Sequence, residues 1–572
     1  MKKINKQLKY ENTAKYRHVL NLLLAGAIFV LVYYKSGIWF ETNDDIFIYS
    51  LLSGDASGIC EAHTIYNNIL FSLPISLLYR IFPQVSWYGY IILGFHLASF
   101  IVTEELFTSR CKNYIEYYIC IVTTLFFFIS SWYIRSAIQY TSIGIILAAT
   151  GFLCLFLSEN KKQKVWLFGI FEFLSFVLRP ETMEIVQPIG FLTYIGLQIL
   201  KCSEKKDVKL IVKKVCPYIT ISLSIIVLGL VANRIAYGGD EYVEALKIND
   251  ARTVLFDYYY TPEYSEIEKI ATDNGMTEAE YNAFTNYVLQ DYSQNADAIV
   301  EISNFVEKNN PKTFKPLELI KLTLWDSYSK EYANGINKVV IVAWILCFVI
   351  LAFAKNIKAL IPIAMYGAGK MISWGYIFYR GRSPERIMIP LYLCEILFAL
   401  SIALLSYKMP QKKWLKMLST AVLTVSLCLF LQKSFVTGRE QMRYLATANE
   451  NYILLDKSEN EILDYCKTNS QNNYIVSSRI SMYWKKRIFD CIPRQADFMF
   501  EGGWFSCIPS VYRYNFEYLS KDNLYLISVA EQDDIVLLEE LDYYEERFGT
   551  RPKKVDSIPL STGAEAFVYE LH

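Results

Sequence analysis

Two aspartates, Asp44 and Asp45, stand side by side in the run Glu41-Thr42-Asn43-Asp44-Asp45, just past a long apolar stretch. Adjacent carboxylates repel each other and are costly to desolvate, so the pair calls for a purpose. Hard carboxylate oxygens suit a divalent cation such as Mg or Mn. One carboxylate alone suits a general base that takes the proton from an attacking hydroxyl. The plainer alternative is an acidic helix start, with Asn43 or Asp44 capping a helix over 46–53. His63 follows in the same segment, a second group able to carry a proton or hold a ligand.

A different chemistry is written in arginine. Arg380, Arg382 and Arg386 fall within the seven residues 380–386, and Arg179 stands two positions before Glu181. Guanidinium forks hold phosphate oxygens bidentately, although long side chains also reach for lipid headgroups at a membrane surface. Arg135, Gln139 and Arg234 mark other helix ends on the same face. Asn249-Asp250-Ala251-Arg252 precedes Asp257-Tyr258-Tyr259-Tyr260, so Arg252 and Asp257 lie among amides and tyrosine faces. That mixture suits a carbohydrate groove and, equally, a membrane surface.

The elements that must position these groups are apolar helices. The chain has 572 residues, 53% hydrophobic and 16% aromatic, and its mean hydropathy is +0.21. Apolar runs recur over 19–32, 119–130, 143–157 and 219–231. A hydrocarbon core about 30 Å thick takes roughly 20 apolar residues to cross as a helix, and runs of this length exclude barrel strands. The sequence places about eleven spans, near 19–38, 85–106, 114–132, 137–157, 165–179, 184–200, 215–235, 338–354, 358–378, 386–407 and 415–433. The first looks like an uncleaved signal anchor. The formal net charge is zero and points to no nucleic-acid partner. The twelve cysteines form no CxxC motif; of them Cys466, Cys491 and Cys507 are placed to pair outside the cell.

Lysine and arginine set the topology. Lys2, Lys3, Lys6, Lys9, Lys15 and Arg17 put the N-terminus in the cytoplasm. Basic inside loops then recur at Arg110 and Lys112, Lys161–Lys164, Lys201–Lys214, Lys355 and Lys358, and Lys408–Lys416. This register requires that 65–82, which holds Pro74 and Arg80, lie along the outer surface rather than cross. Three outer segments result: 41–86, the acidic 236–337 with eighteen acids against eight bases, and the tail 434–572. β-like runs at 474–477, 524–529 and 566–571, with helices at 459–468 and 535–548, make the tail a small soluble α/β domain. The expected fold is thus an α-helical polytopic membrane module over 1–433 followed by that domain over 434–572.

This order of parts resembles the GT-C superfamily of membrane glycosyltransferases: one span, an outer loop opening on an acidic pair, a surface helix, six more spans, a long outer loop, four spans and an outer tail. The likeness covers roughly 15–433. Asn43-Asp44-Asp45, Ser53-Gly54, His63, Asn67-Asn68, Leu77 and Tyr79, with the later Gly381-Arg382-Ser383-Pro384-Glu385-Arg386, also look like a group of bacterial multi-span proteins placed near this superfamily. The resemblance implies a bacterial plasma-membrane enzyme that takes a sugar from a polyprenyl-phosphate donor to a cell-envelope glycan or similar acceptor on the non-cytoplasmic face. It implies Asp44 or Asp45 as the group activating the acceptor, directly or through a metal. Arg380, Arg382, Arg386 and Arg179 would then stabilise the departing phosphate, with His63, Glu181, Arg252 and Asp257 on the substrate. A polysaccharide polymerase or ligase would share the outer arginines without needing the acidic pair. A transporter or flippase of lipid-linked glycans would place ionisable groups at mid-membrane, where Glu172 and Glu395 are the main candidates.

Overall fold

Apolar sequence runs become long helices throughout the chain. The structure is a computed structural model that describes residues 16–201, 208–288, 295–329, 335–354, 357–407, 412–481, 485–491, 498–529 and 534–572. Lys2, Lys3, Lys6, Lys9, Lys15, Lys205, Lys206, Lys355 and Lys408 of the charge register lie outside the described residues. Among the described residues eight helices are long and apolar enough to cross a membrane: Arg17–Ser36, Trp87–Thr108, Tyr140–Leu157, Pro180–Lys201, Val208–Ala236, Ile336–Ala354, Glu385–Ser406 and Lys413–Thr468. Three further segments expected to span are also helical, at Tyr114–Ser130, Lys161–Leu178 and Leu360–Arg380. Many of these helices leave large apolar side chains uncovered, including Leu223, Val227, Leu230 and Val231 on Val208–Ala236. A contiguous apolar face of that kind belongs against lipid.

The chain divides into two units. The first comprises Met1–Ile38, Tyr90–Gly229 and Phe314–Ala448. Its axis is Tyr140–Leu157, nearly every residue of which is buried, as befits a helix apolar on all sides. Pro180–Lys201 and Leu360–Arg380 approach closely at two glycines: a Cβ on Gly369 would stand 2.6 Å from the Ile189 Cα, and one on Gly196 2.5 Å from the Pro362 Cα. Small residues at such crossings let backbones touch, which is how helices associate where lipid removes the hydrophobic drive.

The second unit gathers Trp39–Gly89, Leu230–Thr313 and Asn449–His572. It therefore unites the segment that holds the acidic pair, most of the acidic segment and the tail. Lys413–Thr468 runs unbroken through residues 433 and 434, so the chain enters this unit within a helix. Ile69–Ile81 spans thirteen residues, about 20 Å at 1.5 Å per residue and too short to cross. Phe71, Ile75 and Tyr79 are buried while Leu73, Leu77 and Ile81 are exposed. That outward apolar stripe is what a helix lying on a membrane surface presents.

The tail carries a five-stranded sheet in the order Phe498–Phe500, Asn473–Val476, Leu524–Ser528, Glu565–Glu570, Lys553–Pro559. The first three strands are parallel and the last two antiparallel. Ile475, Met499 and Leu526 pack with Leu537, Leu541 and Tyr544, and Ala283 and Val288 from the acidic segment join the same core. A second core links Ile248, Leu255 and Ile299 to Cys507. Among the described residues no disulfide forms; Cys466 and Cys507 are buried thiols and Cys491 is exposed.

Candidate functional site

The acidic pair opens the helix Asn43–Ser53, where carboxylates are favoured by the positive end of the helix dipole. The helix begins earlier than the sequence suggested. Thr42, extended at φ −125°, takes the cap position, and Asn43 is already helical. The two aspartates then part ways. Asp45 is fully buried. Its Oδ2 accepts from the Thr42 hydroxyl at 3.2 Å and its Oδ1 from the Tyr88 hydroxyl at 2.9 Å. Asp44 is half-buried, and its Oδ1 accepts from the Trp504 indole at 3.0 Å. Its Oδ2 is bonded by no described residue.

Trp504 is delivered by a tight turn. Gly502 and Gly503 precede it at φ +82° and +80°, and a Cβ on Gly502 would meet the Tyr287 carbonyl oxygen at 2.0 Å. Only glycine fits there. Beyond the pair, the Lys485 ammonium donates to the Glu41 carbonyl at 2.6 Å. Burial pulls Lys485 below the ordinary lysine value, against Glu41 and Asp45, which favour its charge.

The ring of Tyr66 meets Trp504 edge-on at 4.8 Å, and the Tyr66 hydroxyl accepts from Arg252 Nη2 at 3.1 Å. Arg252 is buried, and its Nη2 also donates to Asn249 Oδ1 at 3.1 Å. Burial opposes its charge, but Tyr66 and Asp257 outweigh it and hold the guanidinium above its usual value. One chain of contacts thus runs Asp44–Trp504–Tyr66–Arg252, with Asp257 in the same electrostatic neighbourhood. Trp504 and Arg252 are 4% and 5% exposed while Asp44 and Tyr66 are half-buried, so the spare Asp44 oxygen is the group open to a hydroxyl, held in place by the buried indole and guanidinium behind it.

His63 is engaged otherwise. Nδ1 lies 2.6 Å from Glu61 Oε1 and Nε2 lies 3.1 Å from the Ala236 carbonyl oxygen. The ring stacks on Tyr242 at 4.0 Å and meets Tyr237 edge-on at 4.8 Å. Glu61 also accepts from the backbone of Ala62 and His63 and from the Ser510 hydroxyl at 2.8 Å. Burial works against the Glu61 charge, but hydrogen bonds from the His63 ring and backbone prevail and hold it down to about 2. A carbonyl oxygen only accepts, so Nε2 is the donor to Ala236 and Nδ1 faces the Glu61 carboxylate. His63 therefore ties its loop to residue 236 through a completed set of bonds.

The remaining arginine candidates belong to the first unit. Arg179 Nη1 donates to the Tyr140 hydroxyl at 2.7 Å and the Thr141 hydroxyl at 3.1 Å, while its Nε pairs with Glu181 at 3.3 Å. The Arg386 carbonyl accepts from Ser142 at 2.8 Å. Arg179 and the arginine turn therefore both meet the N-terminal end of Tyr140–Leu157, which Gln139 caps through the amides of Thr141 and Ser142. Arg380 ends Leu360–Arg380 and left-handed Gly381 stops it; Arg382 is half-buried in the turn that follows, and Arg386 is half-buried in the first turn of Glu385–Ser406.

With both Asp45 oxygens taken by hydroxyl donors, a divalent cation would find its oxygen on Asp44 rather than on the pair. Among the described residues no three His, Cys, Asp or Glu side chains group to hold a metal. Sequence reasoning passed over Glu61, Tyr66 and Trp504; the Gly502-Gly503-Trp504 run was the one local signal for the last. It also passed over Lys370, which is buried against Glu395 at 3.0 Å, with the Trp344 indole donating to the same carboxylate at 2.7 Å. No protein-family model matches the chain, and a search of curated proteins finds no relative.

Proposed function

We propose that this chain is a membrane glycosyltransferase of GT-C type, crossing the bilayer about eleven times with a cytoplasmic N-terminus. It would move a sugar from a polyprenyl-phosphate donor to a cell-envelope glycan or similar acceptor on the outer face. The observation that carries the reading is the unequal state of the acidic pair: Asp45 is bonded at both oxygens, whereas Asp44 keeps one oxygen available beside Trp504. Asp44 is therefore the base, directly or with a Mg or Mn ion. It takes the proton from the acceptor hydroxyl as that oxygen bonds to the anomeric carbon and the lipid phosphate leaves with the electrons of its C–O bond. One such displacement inverts the anomeric centre. Trp504 fixes Asp44 by its indole and Tyr66 packs against it, while the buried Arg252 sets positive charge behind Tyr66. Arg179, Arg380, Arg382 and Arg386 would hold phosphate on the first unit.

The test is release of polyprenyl phosphate by the purified protein in lipid nanodiscs supplied with a panel of polyprenyl-phosphate sugars. Asp44→Asn should cut the rate by about 10²–10⁴-fold, the usual weight of a positioned base, with an unchanged melting curve. Release at the wild-type rate from Asp44→Asn would sink the mechanism.

A transport reading has one observation of its own. Lys370 and Glu395, on helices Leu360–Arg380 and Glu385–Ser406, form a buried ion pair closed by Tyr328 and Trp344. Ionisable groups at membrane depth are functional suspects. Were this pair the working part, Lys370→Met would stop movement of lipid-linked glycan while Asp44→Asn left it intact.

A further inference from the structure

The acidic segment 236–337 is expected from its charge to lie wholly outside the bilayer, yet its last part, from Phe314 on, belongs to the first unit. Three helical pieces follow one another there: Pro316–Lys321, Leu322–Asp326 and Ser327–Ser329. Leu322 and Ser327 keep helical dihedrals, so the pieces join without a break. Phe314 meets the ring of Tyr379 at 6.0 Å, beside the turn where Leu360–Arg380 gives way to Glu385–Ser406. At the other end the Tyr328 hydroxyl donates to Glu395 and accepts from Lys370. The Lys370 ammonium also stands 3.8 Å from the centre of the Tyr328 ring.

Lys370 precedes Arg380 by ten residues and Glu395 follows Glu385 by ten, so both lie about 15 Å from that turn at 1.5 Å per residue. A hydrocarbon core is about 30 Å thick. Between Phe314 and Tyr328 the chain therefore descends along Leu360–Arg380 by half such a thickness. The end of a helix leaves carbonyls open, and in hydrocarbon no water answers them. Here protein side chains do. The fully buried Tyr392 donates to the Ser327 carbonyl, and Asn337 Nδ2 donates to the Tyr328 carbonyl at 3.1 Å. The opposite flank is apolar and bare: Leu317, Leu324 and Trp325 are 81%, 50% and 69% exposed. Lys315, Glu318 and Lys321 fall in the first half of the segment, where long side chains reach back to headgroups. Asp326, the one charge farther along, is half-buried. Water disfavours such an apolar flank, and lipid covers it.

We propose that 314–329 is a re-entrant arm: it dips into the bilayer beside Leu360–Arg380, is latched by Tyr328 to the Lys370–Glu395 pair, and meets lipid acyl chains through Leu317, Leu324 and Trp325. The acidic segment then leaves the aqueous phase near 314, short of the expected 337. The arm rests on the membrane reading of the chain and not on glycosyl transfer, so its test reads no transfer activity. The full chain is placed in phosphatidylcholine nanodiscs and footprinted with hydroxyl radicals made in the surrounding water. Trp325 is more exposed than Phe516, at 69% against 45%, and an indole is the more reactive ring. Under bilayer cover Trp325 should nonetheless oxidise the more slowly of the two. A phosphatidylcholine with a diazirine at its acyl-chain end should label the peptide that holds Leu324 and Trp325, and one with the diazirine on its headgroup should not. Tyr328→Phe keeps the ring and removes the latch; it should speed oxidation of Trp325 about tenfold, the weight of one hydrogen bond to a charged group, with Phe516 unchanged. Faster oxidation of Trp325 than of Phe516 in the wild type would overturn the proposal. So would labelling from the headgroup and not from the chain end, the pattern of a helix lying flat on the surface. Both wild-type comparisons decide the matter even where Tyr328→Phe fails to fold, and a folded Tyr328→Phe with Trp325 oxidised at the wild-type rate would overturn the latch.

Discussion

Glu61 and Asp44 are carboxylates of the same segment, Trp39–Gly89, and the same unit, yet they stand at opposite ends of a scale of completeness. Glu61 accepts from His63, Ala62 and Ser510, and its His63 partner is satisfied at both ring nitrogens. Asp44 has one bond, to an indole, and an oxygen to spare. A carboxylate whose lone pairs are filled is fixed in its ionised form and adds to folding. One left partly open at a half-buried surface adds little to folding and is available to a substrate. The difference separates a structural knot, to which His63 belongs, from the carboxylate proposed to react.

The comparison breaks most visibly if the roles cross. Asp44→Asn should cost about 10²–10⁴ in transfer rate and leave stability nearly unchanged. Glu61→Gln should do the reverse, costing about 1–3 kcal/mol of stability by taking the charged acceptor from the donors of His63, Ala62 and Ser510, while the folded fraction still turns over. Parallel melting and turnover measurements on both variants check this; a Glu61→Gln enzyme that is stable but dead would move the reactive edge to His63. Acid sharpens the same contrast. The Glu61 pKa lies lower in the folded chain, about 2, than its ordinary 4.5. Its stabilisation is therefore fully present above about pH 4.5 and is lost as pH falls toward 2. The unfolding midpoint of the wild type should fall through that window, and that of Glu61→Gln should be much flatter there.

What the sequence could say about this contrast depended on distance along the chain. Two neighbouring aspartates are visible to any reader, and apolar runs of helical length announced the long helices. Which aspartate is open was hidden, because Tyr88 reaches Asp45 from 43 positions away and Trp504 reaches Asp44 from 460. Lys370 escaped notice because a single charge is averaged out in an apolar run, and its partner lies 25 residues on, in the next helix. In the tail, three strands showed themselves as short β-like runs. Phe498–Phe500 is only three residues long, and Lys553–Pro559 is an edge strand exposed along most of its length, so neither carried the pattern. The union of the acidic segment with the tail was equally invisible: Ala283 and Val288 share a core with Leu526 and Leu541 by contacts that no local periodicity encodes.

The smallest effect discriminates most finely within the pair. Tyr88→Phe removes the donor to Asp45 Oδ1 and nothing from Asp44. Tyr88 is fully buried, so the carboxylate oxygen it leaves cannot be repaired by bulk water, and the expected cost is about 1–2 kcal/mol of stability. The ring itself stays in place, its contacts with Phe40 and Phe71 unaltered, which keeps the change electrostatic rather than steric. Transfer by the folded protein should remain within about twofold of wild type, well under the 1.4 kcal/mol that a factor of ten represents. A Tyr88→Phe variant with unchanged melting and a rate reduced as far as that of Asp44→Asn would reverse the assignment. Asp45 would then be the base, with Tyr88 as its positioning residue.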